Sequence, residues 1–177
     1  PLSPESNRER FLHFAFRSIS NKEWGDGTSN GPMSEQTAKA CFKSLTTPEA
    51  VTVYCCAAIT TPASVPGSPA VSIDLRQTDN TFWQVFDFAF VAGKPYDQAT
   101  FDSGRPVAVL TESVSRALFG TTESVGYEFL LNHAPYKVVG IVKDVSTLAS
   151  SSYGQVWIPY TSTDLAKDTW SDSHMGM

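Results

Sequence analysis

The chain has 177 residues, 41% of them hydrophobic, and a formal charge of −5 at pH 7. This length fits one domain or one domain with an insertion, and it is long enough to bury a core without a metal or disulfide framework. A mildly acidic chain without a basic run lacks the clustered Lys and Arg that neutralise phosphates, which argues against nucleic-acid binding. Its apolar runs fall far short of the ~20 residues that span a bilayer, so we expect no membrane helix and no signal peptide in it. It begins with Pro1 rather than Met, which indicates a piece of a longer polypeptide.

The N-terminal quarter predicts a strand, a loop and a helix. Residues 11–19 are apolar and aromatic, which favours a strand. Residues 21–33 are rich in Gly, Asn, Asp and Ser, which predicts a long loop. Ser34 can cap a helix that continues through residues 35–45 and ends at residues 47–48, a Thr-Pro pair.

A long hairpin is predicted next. Residues 51–59 form a β-rich run, and residues 70–78 alternate between apolar and polar side chains, as in a half-buried strand. The intervening residues 60–69 contain three prolines and a glycine, which predicts a surface connection. Asp79 opens a short capped helical turn.

The second half predicts further short strands and one well-bounded helix. The helix covers residues 112–119 and stops at Gly120, a typical left-handed C-terminal position. Residues 132–135 have the length of a hairpin connection, and residues 161–177 predict either a helix or a frayed end. The predicted strands are residues 85–91, 106–111, 127–131, 136–145 and 155–160. Strands and helices without strict alternation favour an α+β fold.

The three cysteines form no recognisable motif. Cys55 and Cys56 are adjacent, so on a strand they point to opposite faces and do not bridge each other. Without a Cys-x-x-Cys pair, neither a zinc ribbon nor a thioredoxin-type site is supported. The cysteines are expected to be small buried hydrophobes. A bridge from Cys41 to Cys55 or Cys56 stays open if the compartment is oxidising.

Known catalytic and cofactor signatures are missing. The histidines, His13, His133 and His174, lack the spacing of zinc ligands. Gly-x-Ser-x-Gly is absent, as are both glycine-rich phosphate motifs. A hydrolase assembled from scattered Ser, His and Asp would need a perturbed His within hydrogen-bond reach of a Ser and an acid. We therefore expect no catalytic, metal or cofactor-binding residue in this chain.

An aromatic cluster is the most unusual local feature. It consists of Phe82, Trp83, Phe86, Phe88 and Phe90. Such residues can line a sugar or peptide groove, but core packing is the simpler interpretation, because Phe86, Phe88 and Phe90 would share one strand face. Trp83 is expected to be partly exposed.

From Asn80 onward, four runs occur in a characteristic order. They are NTFWQVFDFAFVAGKPYD, RPVAVLTESVSRALFG, SVGYEFLLNHAPYKVVGIVKDV and QVWIPY. Each run alone is unspecific, but consistent weak signals reinforce one another. The order resembles the MacB-type periplasmic core domain of ABC-transporter permeases with the FtsX-like membrane fold. Residues 11–78 match that family more loosely.

The resemblance implies an architecture. The domain would lie outside the cytoplasmic membrane, between the first and second of four membrane helices, and residues 1–177 would be one extracytoplasmic fragment. A small porter-like α/β subdomain (residues 9–78 and 155–177) would carry an inserted strand-rich subdomain (residues 79–154). Most of the second half of the porter-like part would be missing from this chain.

The resemblance also implies a function. Similar permeases couple ATP hydrolysis by a cytoplasmic ABC ATPase to movement or release of a lipoprotein, peptide or drug. The outer domain performs no bond chemistry and needs no cofactor. It contacts cargo, an adaptor or lipoprotein, and the outer domain of a second permease protomer. The implied location is the inner membrane, with this domain in the periplasm.

One alternative stays open. A soluble ligand-binding module could use an aromatic surface, and it predicts a concave pocket that exposes Trp83 or Trp157. Burial of all the aromatic side chains would remove the support for this alternative.

Overall fold

The structure is a computed structural model that describes residues 3–14, 17–20, 28–31, 33–42, 44–55, 57–163 and 175–176. Its α-helices are α1 (Glu35–Phe42), α2 (Phe82–Val85), α3 (Gln98–Asp102) and α4 (Glu112–Phe119). Short 3-10 turns cover Arg8–Arg10 and Tyr160–Ser162. The strands are β1 (Arg17–Ser20), β2 (Thr28–Gly31), β3 (Tyr54–Cys55), β4 (Ile59–Ser64), β5 (Val71–Thr78), β6 (Phe90–Gly93), β7 (Val107–Thr111), β8 (Glu128–Leu131), β9 (Ala134–Val142), β10 (Val156–Pro159) and β11 (Met175–Gly176). The presence of both helices and strands confirms the prediction of an α+β fold.

Strand pairing closes into a ring. In the described part of the chain, the strands pair in the order β5, β4, β8, β9, β7, β10 and back to β5. The β7–β9 and β10–β5 pairs are parallel, and the other four are antiparallel. Closure satisfies both edges of each strand along the paired stretches and so removes exposed sheet edges there.

Alternating side chains fill the ring. Val156 and Ile158 of β10 belong to the interior cluster, whereas Trp157 between them packs on the outer face. Strand β7 follows the same rule and is buried on both faces. Helix α4 adds Val114 and Leu118 to the interior cluster. The period of two along a strand produces this division between inner and outer layers.

Two further clusters lie outside the ring. One is the aromatic layer, whose buried members are Tyr54, Phe82, Phe86, Tyr96, Val107, Val109, Val142 and Trp157. The other joins α1 to α3 and the Tyr160–Ser162 turn, with Met33, Ala38, Val53, Cys55, Phe101 and Tyr160 buried. Cys41 is exposed with a free thiol, so the expectation that it is buried is wrong, whereas Cys55 is buried as expected. Cys56 and His174 lie outside the described residues.

Elements bounded by local signals appear where the sequence predicts them. Helix α4 covers the predicted residues and ends at Gly120, which adopts φ 73°. Ser34 Oγ accepts a hydrogen bond of 3.0 Å from the Thr37 amide and so caps α1. Asp79 Oδ1 accepts one of 3.0 Å from the Phe82 amide at α2. These caps satisfy amides that have no partner within their own helix.

Several predicted boundaries are wrong. Residues 86–89 are irregular rather than strand, because α2 reaches Val85 and β6 begins only at Phe90. Residues 11–14 are not strand, and β2 lies inside the predicted 21–33 loop, where residues 21–27 and 32 are outside the described residues. Helix α1 ends at Phe42, earlier than predicted.

The prediction that residues 60–69 form only a surface connection is also wrong. Residues 60–64 belong to β4, and Pro62 stands opposite Ser72 of β5. Its carbonyl accepts a hydrogen bond of 2.9 Å from the Asn132 amide. Proline has no N–H to donate, but its carbonyl can still accept a hydrogen bond. The strand therefore tolerates Pro62 at this position, where the carbonyl is the group that is used.

The predicted boundary at residues 78 and 79 does not separate two sheets. Strands β4 and β5, expected in the porter-like part, pair with β8 and β10 in the same ring as the strands of the expected insertion. Ile73 and Leu75 of β5 belong to the same interior cluster as Leu110 and Ile141. The ring is therefore one packing unit that runs across the expected boundary.

Candidate functional site

The aromatic layer is the candidate surface that the sequence singles out. Trp83 makes edge-on contacts with four neighbouring rings at centroid distances of 5.0–5.6 Å: Phe82, Phe88, Phe90 and Tyr96. A fifth ring, Trp157, lies 6.1 Å away. Edge-to-face contacts of this kind are favourable beyond the area they bury. The cluster therefore packs mainly against itself and the ring.

Trp157 is not on a surface. Its side chain is 0% exposed, and its Nε1 donates a hydrogen bond of 3.2 Å to the Ser152 carbonyl. A fully buried indole offers no atom to a ligand. The prediction that Trp157 belongs to a binding surface is wrong. Its neighbours Val156 and Ile158 face the interior of the ring, so Trp157 points to the outer face, where it is buried within the aromatic layer.

Trp83 is half-buried, as the sequence predicts. Its indole Nε1 is itself buried and has no partner in hydrogen-bond geometry among the described residues. The neighbouring Tyr96 hydroxyl hydrogen-bonds to Thr78 Oγ1. Burial raises the pKa of Tyr96 well above its ordinary value, so this hydroxyl stays protonated.

A small pocket lies beside this layer. Its volume is about 120 Å³, and it is lined by Ser3, Pro4, Phe88, Ala89, Lys143, Asp144 and Val145. Sites for drug-sized ligands usually have volumes of roughly 300–1,000 Å³. The pocket is thus too small for such a ligand in this conformation, and neither Trp83 nor Trp157 lines it.

Catalytic groups are not brought together in the part of the chain that is described. No cluster of three or more His, Cys, Asp or Glu side chains there could hold a metal ion. His13 stacks on Tyr54 at 6.1 Å, and His133 occupies a turn with φ 68°. Burial lowers the pKa of His13, and the positive charge of Arg76 lowers it further. The Ser113 hydroxyl donates to the Asp144 carboxylate at the start of α4, an arrangement without a histidine.

Buried polar groups instead serve the fold. Asp79 is 3% exposed and accepts hydrogen bonds from Thr52 Oγ1 (2.5 Å) and the Val53 amide (2.9 Å) as well as from α2. The Tyr160 hydroxyl donates to Glu35 Oε1 at 2.8 Å and ties the end of β10 to α1. Burial, followed by the charge of Glu35, raises the pKa of Tyr160 well above its ordinary range. A buried acceptor that is fully hydrogen-bonded stabilises one arrangement of the chain.

Sequence reasoning missed one polar cluster. Glu5 is 4% exposed, and its carboxylate is held by Ser151, Ser152 and Arg8. The Glu5 and Ser152 positions are 147 residues apart. No local pattern could indicate this contact, because it depends on where the N-terminal segment crosses the ring.

Comparison with known proteins identifies the family. The family model of the MacB-like periplasmic core domain matches residues 6–175, nearly the whole chain. The chain belongs to this family. Membership confirms the family resemblance seen in the sequence. No helix in the described part of the chain is long and apolar enough to cross a membrane.

Curated relatives of this chain include export ATP-binding/permease proteins. The macrolide export ATP-binding/permease protein MacB of Burkholderia cenocepacia (strain HI2424) is 32% identical over 84 residues, which are 46% of this chain and 12% of that protein. The pyoverdine export ATP-binding/permease protein PvdT of Pseudomonas savastanoi pv. phaseolicola (strain 1448A / Race 6) is 28% identical over 90 residues, 49% of this chain and 14% of that protein. The match therefore spans only a small part of each relative.

Solved structures of the same kind share the fold of this MacB-like domain. The periplasmic region of MacB from Actinobacillus actinomycetemcomitans superposes with a TM-score of 0.65 at 16% identity, covering 97% of this chain and 77% of that one. The extracellular domain of the noncanonic ABC-type transporter YknZ from Gram-positive bacteria also gives 0.65, at 14% identity, covering 93% of this chain and 82% of that one.

Proposed function

We propose that this chain is the extracytoplasmic, non-catalytic part of an ATP-driven export permease. The observation that carries the proposal is the family match over residues 6–175. The relatives named above are export proteins that contain both an ATP-binding and a permease part. Such a domain works on the periplasmic side of an inner-membrane transporter.

The proposed mechanism is conformational transmission. ATP is hydrolysed by a separate cytoplasmic ABC subunit or domain, and this domain carries no cofactor of its own. A closed ring with a packed interior moves as one body, because close-packed cores are not continuously deformable. Movement of the chain that enters the domain would then reposition the whole ring against its partners. Those partners are a second permease protomer and an adaptor or lipoprotein.

The cargo is proposed to be a drug, a peptide or a lipoprotein. The names of the relatives refer to macrolide and pyoverdine export, which favours a mid-sized molecule of the drug class as the first to test. The 120 Å³ pocket in this domain is too small for such a molecule. We therefore propose that cargo meets surfaces formed between protomers and partners rather than this pocket.

The test uses the complete permease that contains this domain, produced with its ABC ATPase in a strain that lacks its own macrolide pumps. We expect increased resistance to erythromycin and reduced intracellular drug. A matched strain carries an ATPase that cannot hydrolyse ATP, and there resistance should return to the level of the empty strain. Unchanged resistance and unchanged lipoprotein release with an active ATPase would contradict the export proposal.

The ligand-binding alternative depends on Trp83 alone, since Trp157 is buried. It predicts that a ligand added to the isolated chain changes tryptophan emission and that Trp83→Ala abolishes this change. The packing of Trp83 against its neighbouring rings favours a role in the core, so this alternative is not our proposal.

A further inference from the structure

Residues 3–14 form an N-terminal strap that lies across the outside of the ring. The strap contains the Arg8–Arg10 turn but no α-helix or strand. Its first contact is with the segment before β6, where the Pro4 carbonyl accepts a hydrogen bond of 2.9 Å from the Asp87 amide. Further along, Phe11 packs edge-on against Phe86 at 5.4 Å, and His13 stacks on Tyr54.

The strap is held by one buried carboxylate. Glu5 Oε1 accepts three hydrogen bonds, from the Ser151 amide (3.0 Å), the Ser152 amide (2.9 Å) and the Ser152 hydroxyl (2.9 Å). Glu5 Oε2 pairs with the Arg8 guanidinium, whose Nε donates at 2.8 Å. The same guanidinium donates from Nη2 to the Leu148 carbonyl at 2.8 Å. Hydrogen bonds to an ionised acceptor are roughly twice as strong as those between neutral groups.

The turn that receives Glu5 is itself fastened to two strands of the ring. The Ser152 carbonyl accepts from Trp157 Nε1 of β10 at 3.2 Å. The Ser150 carbonyl accepts from Arg76 Nη2 of β5 at 3.1 Å. Arg76 is 2% exposed, and its Nε donates to the Tyr153 carbonyl. β5 and β10 are neighbours in the ring through a parallel pairing over four residues each.

The described contacts of the strap with the α1 side of the domain are more exposed than those of Glu5. Arg10 pairs with Glu49 at 2.9 Å, and their side chains are 67% and 83% exposed. Phe14, which is 41% exposed, contacts Phe42 of α1 at 4.9 Å. Exposed ion pairs are worth little. The buried and charge-assisted attachment of the strap is therefore to the β5–β10 side of the ring.

We propose that Glu5 is a latch through which displacement of the strap is passed to β5 and β10. This inference rests on the proposed transport function, because it names the point where movement of the incoming chain would reach the ring. The carboxylate and its three donors in Ser151 and Ser152 form one polar contact in an otherwise irregular segment. When it is broken, the strap can separate while the ring, which has its own interior core, stays folded.

The first experiment measures residue-level amide hydrogen exchange by NMR on this chain, comparing wild type, Glu5→Ala and Glu5→Gln. Replacing Glu5 by alanine removes the acceptor of the Ser151 amide, whereas the Ser152 amide and hydroxyl keep the Ala149 carbonyl as an acceptor, at 3.1 and 3.4 Å. We expect the amides of Ser151 and Asp87 to exchange roughly tenfold faster in Glu5→Ala, and the Ser152 amide to exchange faster by a smaller factor. Glu5→Gln keeps an oxygen acceptor but loses the charge, so it should lie between the two. Amides of β7 and β9 should stay protected in all three proteins.

Glu49→Ala is the matched control. It removes an acidic partner of the strap that is exposed, and it should leave exchange at Ser151, Ser152 and Asp87 unchanged. Equal protection of these amides in Glu5→Ala and wild type would overturn the latch. Loss of protection throughout β7 and β9 in both Glu5→Ala and the milder Ser152→Ala would also overturn it, because Glu5 would then be required for the ring to fold.

A second experiment tests transmission in the complete permease with its ATPase. Glu5→Ala should lower drug export per ATP hydrolysed, whereas Glu49→Ala should not. If the strap opens in the isolated chain but export is unchanged, the transmission role fails and the proposed function stands. If wild-type permease exports nothing that is tested, the proposed function fails, and the exchange data still decide whether Glu5 holds the strap.

Discussion

A Cβ atom placed on Gly140 would lie 2.7 Å from the carbonyl oxygen of Lys94. It would also lie 2.7 Å from Cε1 of Phe90. Gly140 stands opposite Gly93 where β6 pairs with β9, next to the point where β9 shifts register against β7. The absence of a side chain lets the segment after β6 cross β9 closely, and it leaves room for the Phe90 ring, which packs against the aromatic layer.

We expect Gly140→Ala to lower the free energy of unfolding by about 1–3 kcal/mol, because a backbone carbonyl cannot move aside as a side chain can. Urea unfolding followed by circular dichroism measures the change. Gly31→Ala is the control, since its added Cβ would meet nothing within 4 Å. A Gly140→Ala protein as stable as wild type would show that the crossing has more room than the structure indicates.

The buried and half-buried indoles should differ in what their removal costs. Trp157→Ala deletes a side chain that is 0% exposed and a donor to the Ser152 carbonyl, so we expect a loss of about 3–5 kcal/mol in stability. Trp83→Ala should cost less, because Trp83 is half-buried and its Nε1 has no partner to abandon. Thermal unfolding of the two variants compares them directly, and a larger loss for Trp83→Ala would reverse our assignment of the core.

The β8–β9 hairpin turn offers a stabilising change. Asn132 and His133 occupy its two central positions with φ 47° and 68°, which suits a type I′ turn, whose preferred sequence is Asn-Gly. His133→Gly should stabilise the domain by about 0.5–1 kcal/mol, because relief of the left-handed strain exceeds the entropy that glycine adds to the unfolded chain. His133→Val should destabilise it. Chemical denaturation of both variants provides the test, and the opposite order would contradict the turn geometry.

Alkaline pH should destabilise the domain through its tyrosines. Burial, together with the hydrogen bond to the nearby Asp74 carboxylate, raises the pKa of Tyr153 to about 12. Burial also raises the pKa values of Tyr96, Tyr136 and Tyr160. Since the folded state holds these protons more tightly than the unfolded state, their stabilising contribution is present below pH 10. It is lost as pH rises through the folded-state pKa values.

Absorbance of phenolate at 295 nm between pH 9 and pH 12.5 tests this expectation. The four tyrosines should titrate late, together with unfolding. Tyr153→Phe removes one of them, so its stability should fall less steeply between pH 10 and pH 12 than that of wild type. Titration of all the tyrosines near pH 10 in a folded protein would contradict the burial described here.

Local signals predicted a good part of this fold. Helix α4 and its Gly120 stop, the Ser34 and Asp79 caps and the β8–β9 hairpin each depend on residues within a few positions of one another. The family resemblance was likewise carried by ordered runs in the sequence. The wrong boundaries arise where contacts with distant parts of the chain override a local pattern. Residues 86–89 have a strand-like composition, but the aromatic layer holds them in an irregular path.

The sequence by itself determined the α+β class, the well-bounded elements and the family, because helix caps, turn residues and apolar periodicity act over short distances. Only the tertiary structure decided that β5 pairs with β10 to close the ring, that Trp157 lies buried beneath Trp83 and Phe88, and that Glu5 reaches Ser152. These contacts join residues that are 69 or more positions apart. Their free energy comes from desolvation and pairing between distant segments, which no local pattern encodes.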